Sequence, residues 1–446
     1  MYLKNNTFLV AGVSKSGISA TSFLLSHGAK VYIVDEIENE KTSKAFELLS
    51  GLGAEKVERD QIEEKLKSTD VLVLSPGIPI DNRIPVCAKR LGKRIIGELE
   101  LGYLYSNCPI IGVTGTNGKT TVCTMISEVL SKASIENFKV GNIGVPFTRE
   151  MEKYNPGTVA VTEVSSFQLE TTQAFCPHIA VVTNISEDHL IRHYNMQNYI
   201  YLKSKILLNQ KESEYAVLGY DDFVVRGFKD KTKAKVVWFS AKEKVDGAYV
   251  DGDMICYMGE EIFSKNLLPC GGEHNLLNAL ATVAVCKCMK IENNLIAEGI
   301  IGFKGIRHRI EFIRELDGVK YFNDSKATNV DSTLNALNTM NGKTVLLLGG
   351  KDKEQSYDML FEKLKELNIE KVILYGETRY KMLKSAEKAS YENVCIATTL
   401  FSAVNLAKNE SKAGENVLLS PACASFDEFS GYEERGDKFA EIVNAF

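Results

Sequence analysis

Short apolar runs, each closed by a glycine or a polar turn and followed by a stretch with helical spacing, recur along this chain. Residues 7–11 (TFLVA), 30–35 (KVYIVD) and 70–74 (DVLVL) are buried-strand candidates separated by helix-like segments, an opening β-α-β unit. A second series starts at Pro109 with IIGVTG and continues through TVAVTEV and HIAVVTN, with long helical patterns between the strands. A third starts after Phe303. There RIEFIREL, a turn at Asp317-Gly318 and VKYFND predict a hairpin, and TVLLLGG, KVILYG and NVLLSP predict buried strands. Strands alternating with helices in three blocks predict an α/β protein of three domains, each with a largely parallel sheet. Ligands bind such sheets at the carboxyl ends of the strands, and every notable motif of this sequence follows a strand.

Composition narrows the class. The chain has 446 residues, 44% apolar and 25% charged, which is ordinary for soluble globular domains and rules out disordered, collagen-like and disulfide-knot classes. A net charge of -5, from 53 basic and 58 acidic side chains, gives no footprint for nucleic acid or an anionic membrane. Ten cysteines are scattered without a CxxC spacing, Cys286 and Cys288 being nearest to each other, and read as reduced thiols. No apolar run approaches the roughly 18 residues of a membrane span. The expectation is a soluble, cytoplasmic protein with no nucleic-acid or membrane partner.

Thr114-Gly115-Thr116-Asn117-Gly118-Lys119-Thr120 follows the strand IIGV and precedes apolar Val122, Met125, Ile126, Val129, Leu130 and Ala133, one face of a helix. Such a loop delivers a helix N-terminus. Its amides, freed by glycines, can cradle phosphates, while Lys119 supplies a point charge and Thr120 a hydroxyl for Mg²⁺. Val113 stands where the strict phosphate-loop spacing has its first glycine, so a chance glycine turn is the competing reading, and the weaker one with strand and helix both in register. Glu163 ends TVAVTEV and Asp188-His189 follows HIAVVTN, so both are expected at the edge that carries this loop. Carboxylate and neutral imidazole suit a Mg²⁺ shell that keeps several waters; taken singly they read as a helix cap and a solvated loop histidine. Lys203, on a helix-like stretch from Tyr199 to Leu208, reads from composition alone as a surface lysine.

In the first block Gly12-Val13-Ser14-Lys15-Ser16-Gly17 imitates a dinucleotide fingerprint, with Asp35 ending the next strand, but Ser14 replaces the glycine that lets a pyrophosphate approach the backbone. Ordinary NAD binding is disfavoured. A nucleotide diphosphate held differently, with help from Ser75-Pro76-Gly77, remains open. In the third block residues 323–329, 349–353 and 420–425 are polar and follow strands; singly they are turn chemistry, together a cleft for a carboxylate-bearing ligand.

These residues resemble the Mur ligase family of peptidoglycan synthesis along essentially the whole chain. Its family-wide marks are Thr114 to Thr120, Gly141 to Gly144, the Glu163 strand end, Asn184 to His189, and His274-Asn275 with Asn278. Marks of its D-glutamate-adding branch are Ser165 to Glu170, Asp324 to Asn329 and Leu419 to Ser425. The resemblance implies a Rossmann-like N-terminal domain (1–97) for a UDP-sugar, a central P-loop ATPase-like domain (98–302) and a Rossmann-like C-terminal domain (303–446) for the amino acid. It implies an ATP site at Gly115, Thr116, Asn117, Gly118, Lys119, Thr120, Thr121, Asn275, Asn278, Arg309, Asp324 and Lys326. Thr120 and Glu163 would serve one Mg²⁺, and His189 with Lys203, carbamylated in the family, a second; Mn²⁺ is an alternative ion. Thr328, Lys353, Ser425 and Tyr432 correspond to the D-glutamate pocket, and Ser14, Lys15, Ser16, Ser75, Pro76, Gly77 and Asn142 to the UDP-sugar site. Lys15, Glu36 and Ile37 depart from the family's uridine pattern, and Tyr432 stands where Phe is also used.

The implied reaction is ATP-dependent amide formation between UDP-N-acetylmuramoyl-L-alanine and D-glutamate through an acyl phosphate, with Lys119, His189 and Lys203 as catalytic residues, by a monomer whose third domain closes before chemistry. Two rivals stay open at this point: another ligase of the superfamily, such as folylpolyglutamate synthase, and a non-enzymatic nucleotide-binding regulator.

Overall fold

The computed structural model describes residues 3–269, 272–353 and 355–446, and its strands form three sheets. The first comprises β1 (Thr7–Ala11), β2 (Lys30–Val34), β3 (Glu55–Lys56), β4 (Val71–Leu74) and β5 (Arg94–Gly97), all parallel, in the order β3-β2-β1-β4-β5. Its apolar runs do not alternate with polar residues because both faces are covered. Phe8, Val10, Val31 and Val73 enter one buried cluster, and Leu9, Ala11, Tyr32 and Leu72 another. The order reverses between β1 and β4. That crevice is where an open α/β sheet takes its ligand.

The central sheet holds β6 (Ile110–Thr114), β7 (Asn137–Gly141), β8 (Val159–Glu163), β9 (Ile179–Val182), β10 (Tyr215–Gly219), β11 (Lys235–Ser240), β12 (Gly247–Asp251), β13 (Met254–Tyr257) and β14 (Glu260–Ser264). They run in the order β14-β13-β12-β11-β10-β9-β6-β8-β7, parallel from β7 to β12 and antiparallel from β12 to β14. The helix Lys119–Lys132 leaves β6 and buries Val122, Met125, Ile126, Val129 and Leu130, the stripe expected from the sequence. The stretch carrying Lys203 is helical over Met196–Ser204, where Asn195 accepts from the Asn198 amide as its cap; the chain then turns, so the helix expected to reach Leu208 ends four residues earlier.

The third sheet comprises β15 (Glu311–Leu316), β16 (Val319–Asn323), β17 (Thr344–Gly349), β18 (Ile369–Tyr375), β19 (Val394–Ile396) and β20 (Asn416–Leu419), in the order β15-β16-β20-β17-β18-β19. Only the edge pair β15-β16 is antiparallel, and its turn has Asp317 at φ 51 and Gly318 at φ 76, the left-handed pair that a two-residue hairpin requires. By contacts the chain divides into two compact units. One takes residues up to Ile185 with Arg192–Leu268 and Leu277–Gly302; the other takes Ser186–Ile191, Pro269–Leu276 and Phe303–Phe446. The first two sheets share a unit because one buried cluster runs through both, from Phe8 and Val10 to Ala180 and Val182.

Candidate active site

Within the first unit, the loop after β6 is shaped by backbone conformations that only glycine adopts readily. Gly115 sits at φ 140, where an added Cβ would lie 2.0 Å from Thr183 Oγ1, and Gly118 at φ 85, where it would lie 2.4 Å from Asn278 Oδ1. The residues that crowd those glycines also fix the loop. The Thr116 amide donates to the Asn184 carbonyl, the Asn117 amide to Asn184 Oδ1, and Thr183 Oγ1 to the Asn117 carbonyl at 2.6 Å. The Thr116 hydroxyl meets the Tyr199 hydroxyl at 3.1 Å. The outcome is a rigid turn that presents the first amides of the helix Lys119–Lys132, which have no partner inside their own helix, with the positive end of its dipole.

Three predicted residues converge beside it. Thr120 Oγ1 donates to Glu163 Oε2 at 2.7 Å, and Asn142 Nδ2 donates to Glu163 Oε1 at the same distance. Asn142 thus meets the predicted metal carboxylate, because β7 and β8 end side by side with Gly141 opposite Glu163. A hydroxyl and a carboxylate held together beside such a helix start are hard oxygen donors of the kind Mg²⁺ accepts while keeping its remaining positions for water and phosphate. Among the described residues no group of three His, Cys, Asp or Glu side chains could hold a metal by itself.

Lys119 Nζ curls back to the Gly115 and Thr116 carbonyls at 3.0 and 2.6 Å. Lys203 donates to the same Gly115 carbonyl at 2.7 Å and to Thr114 Oγ1 at 3.2 Å, and is 2% exposed. The surface-lysine reading therefore fails: the helix Met196–Ser204 aims Lys203 under the loop after β6, over the Tyr199 ring. Thr121 is buried in the helix that follows the loop, and Asn278 in the helix Glu273–Cys288.

At the crevice of the first sheet, Ser75 Oγ donates to the Gly12 carbonyl and joins the two predicted UDP-sugar loops. Asp35, where a dinucleotide fold would hold a ribose, instead accepts from the Val13 and Ile37 amides. Ser14 and Lys15 are exposed, Ser16 and Pro76 half-buried, and Gly77 exposed at the turn.

Within the second unit, Lys353 Nζ lies 3.4 Å from Thr328 Oγ1 and 3.6 Å from Asp188 Oδ1, and Asp188 also accepts from Asn329 Nδ2 at 3.2 Å. His189 has its Nε2 3.5 Å from Asp188 Oδ2. Arg309 stands 3.7 Å from Asp324, whose carboxyl is fully buried and pushed up to about 6 by desolvation, with Arg309 and the Ser420 hydroxyl opposing that rise. Lys326 Nζ reaches the Tyr432 hydroxyl at 3.1 Å, so the predicted nucleotide and amino-acid residues touch there. The Asn275 amide donates to the Gly272 carbonyl, and neighbouring His274 is held down to about 4 by burial, then by Arg309. Ser425 is buried and its carbonyl accepts from the Phe429 amide.

Sequence reasoning passed over Arg435. This fully buried guanidinium donates to Ser325 Oγ and to the Ser325, Cys423 and Ala424 carbonyls, tying the loop after β16 to the loop after β20. Next to Glu433 and Glu434 it looked like any charge on a solvated helix. Asn184 entered the sequence reading as the start of a family mark, but its part in shaping the loop after β6 did not.

Residues 6–97 match the model of the Mur ligase MurD-like N-terminal domain, 113–286 that of the Mur ligase middle domain, and 308–423 that of the Mur ligase glutamate ligase domain. The chain is similar to the UDP-N-acetylmuramoylalanine–D-glutamate ligases of Caldanaerobacter subterraneus subsp. tengcongensis, at 40% identity over 99% of each chain. The same is true for Clostridioides difficile, at 38% over 100% of this chain and 99% of that one. In fold it is similar to a UDP-N-acetylmuramate-alanine ligase from Thermotoga maritima, with a TM-score of 0.63 at 20% identity over 99% of this chain and 100% of that one. A pseudomurein peptide ligase from Methanothermus fervidus gives 0.61 at 18% identity, over 99% and 100%. Three α/β domains with largely parallel sheets, a glycine-shaped loop at a helix start in the middle one, and identity along the whole length lead to one assignment: the chain belongs to the Mur ligase family.

Proposed function

We propose that this protein is the ATP-dependent ligase that joins D-glutamate to UDP-N-acetylmuramoyl-L-alanine, the reaction named by its full-length relatives. The observation that carries the reading is the phosphate loop with Lys119 at its helix start and Thr120 on Glu163. ATP phosphates would lie on the amides of residues 115–121. Asn275, Asn278, Arg309, Asp324 and Lys326 would hold the rest of the nucleotide, and the loops at Ser14–Ser16 and Ser75–Gly77, with Asn142, the UDP-sugar. D-Glutamate would be held by Thr328, Lys353, Ser425 and Tyr432. Lys353 as a cation beside a hydroxyl is suited to a carboxylate. Domain limits near Gly97 and Gly302, a monomeric state and a cytoplasmic location belong to the same proposal.

The alanine carboxylate attacks the γ-phosphate of ATP, ADP leaves, and the amine of D-glutamate then attacks the acyl phosphate and expels phosphate. Lys119 releases the Gly115 and Thr116 carbonyls to meet the charge gathering on the transferring group, and the helix N-terminus faces the same charge. Mg²⁺ on Thr120 and Glu163, with Mn²⁺ as a substitute, supplies further neutralisation of that charge when bound. His189 and a carbamylated Lys203 are proposed for a second ion; carbamylation turns a buried ammonium into an anionic oxygen donor. The attacking amine must lose a proton, to His189 or to a phosphate oxygen.

A direct test is to trap the intermediate. With ATP and UDP-N-acetylmuramoyl-L-alanine but no amino acid, borohydride should reduce the acyl phosphate to the corresponding alcohol, detectable by mass. Absence of that product while amide still forms would overturn the two-step route.

A further inference from the structure

The run Ser165-Ser166-Phe167-Gln168-Leu169-Glu170 marks the D-glutamate-adding branch, yet none of it enters the site described above. The structure shows what it holds. Ser165 and Gln168 close a capping box on the short helix Ser166–Glu170, which fixes the other side chains of the run. Leu169 points into the core, and Ser166 Oγ contacts His193 Nε2 at 2.9 Å. Phe167 lies under the Arg192 guanidinium, 5.0 Å from it, and Glu170 grips that guanidinium from the edge, Oε2 to Nη2 at 2.5 Å and Oε1 to Nε at 3.4 Å. The outer side of Arg192 then faces three successive carbonyls of the first sheet's turn: Pro76 at 3.4 Å, Gly77 at 3.3 Å and Ile78 at 3.0 Å. A second tie runs parallel, since the Tyr194 hydroxyl donates to Asp81.

We infer that Arg192, held by Glu170 and Phe167, is the positioning residue for the Ser75–Gly77 turn and so for the UDP-sugar substrate. The inference rests on the reading of that turn as part of the UDP-sugar site. A planar fork that donates both to a carboxylate and to successive carbonyls cannot be replaced by a lysine, whose point charge lacks that fixed fork geometry. With the side chains of Arg192 and Glu170 only 13% and 9% exposed, the pair is shielded enough to hold its geometry. It carries the turn of one sheet on the helix that follows Glu163 of the next, so the substrate's diphosphate and the phosphate loop share one rigid frame. Arg192 also follows His189 by three residues, so the segment that carries a predicted metal residue ends on this anchor.

The test compares Arg192→Lys, Arg192→Ala and Glu170→Gln with the unmutated full-length protein in steady-state ligation. The KM for UDP-N-acetylmuramoyl-L-alanine should rise about tenfold or more in both Arg192 variants, the size expected for a lost charge-assisted hydrogen bond. It should rise less in Glu170→Gln, while the KM values for ATP and D-glutamate stay within about twofold. Equilibrium binding of the UDP-sugar without ATP should weaken by the same factor. A uniform fall in kcat with all KM values unchanged would mean a merely structural role and would overturn the inference, as would an unaltered UDP-sugar KM. An unmutated protein without ligase activity would overturn the underlying reading and the inference with it; normal activity with no selective change in the variants would overturn the inference alone.

Discussion

At the scale of single residues, two buried ionisable groups make separate predictions. Glu98 accepts from the Thr148 amide and hydroxyl through Oε1, while Oε2 is buried without a partner, and burial pushes the group up to about 7 against those two bonds. Because the folded value lies above that of an exposed glutamate, the associated stability is fully present below about pH 4.5 and is lost as pH rises through about 7. The difference amounts to roughly 3 kcal/mol. Glu98→Gln should flatten the stability profile between pH 5 and pH 8 in denaturant unfolding; an identical slope in both proteins would show that Glu98 ionises freely. Lys203 was the residue that composition misplaced, because the sequence gives no sign of which face of its helix is covered. Under the carbamate proposal, Lys203→Ala loses ligase activity by at least about a hundredfold, and added bicarbonate restores activity to carbon dioxide-depleted parent protein but not to the variant. Unchanged activity in Lys203→Ala would remove the proposal.

At the scale of elements, the turns between strand and helix decide what can bind. A Cβ on Gly17 would lie 1.7 Å from the Gly12 carbonyl oxygen, so the helix Lys15–Ser26 packs on the β1 turn only because this position has no side chain. Gly17→Ala should displace that helix, cost about 1–3 kcal/mol or more in denaturant unfolding and weaken UDP-sugar binding; a variant with parental stability would contradict the close approach. Elements with strong local signals were legible. The phosphate-loop helix showed its buried stripe, and Asp317-Gly318 announced its hairpin through residues that tolerate positive φ. The antiparallel extension of the central sheet carried a turn signal in Gly252-Asp253, with Gly252 at φ 57, but its short strands lack a long apolar run and were passed over. The grouping of Ser186–Ile191 with the second unit was not legible at all, because it follows from tertiary contacts and not from any periodicity.

At the scale of the whole molecule, a chain of net charge -5 is proposed to bind three anionic ligands. Under that proposal the attraction comes from a few cations and helix N-termini rather than a basic surface: Lys119 at the loop after β6 and Lys353 beside Thr328, both at strand ends, with Arg309 beside Asp324. The sequence located Lys119 and Lys353 because parallel sheets put their chemistry at the carboxyl ends of strands, whereas Lys203 and Arg309 came only from the family resemblance. The holders behind them, Asn184, Arg192 and Arg435, act through tertiary hydrogen bonds, fully buried at Arg435, that no spacing rule announces. The central claim is the identity of the two substrates joined, and phosphate release measured with ATP, Mg²⁺ and UDP-N-acetylmuramoyl-L-alanine while the amino acid is varied tests it most directly. Release that depends on D-glutamate, is abolished in Lys119→Ala and yields the amide by mass is the predicted result. Release with L-glutamate and a folate but not with D-glutamate, or none with any amino acid, would contradict it.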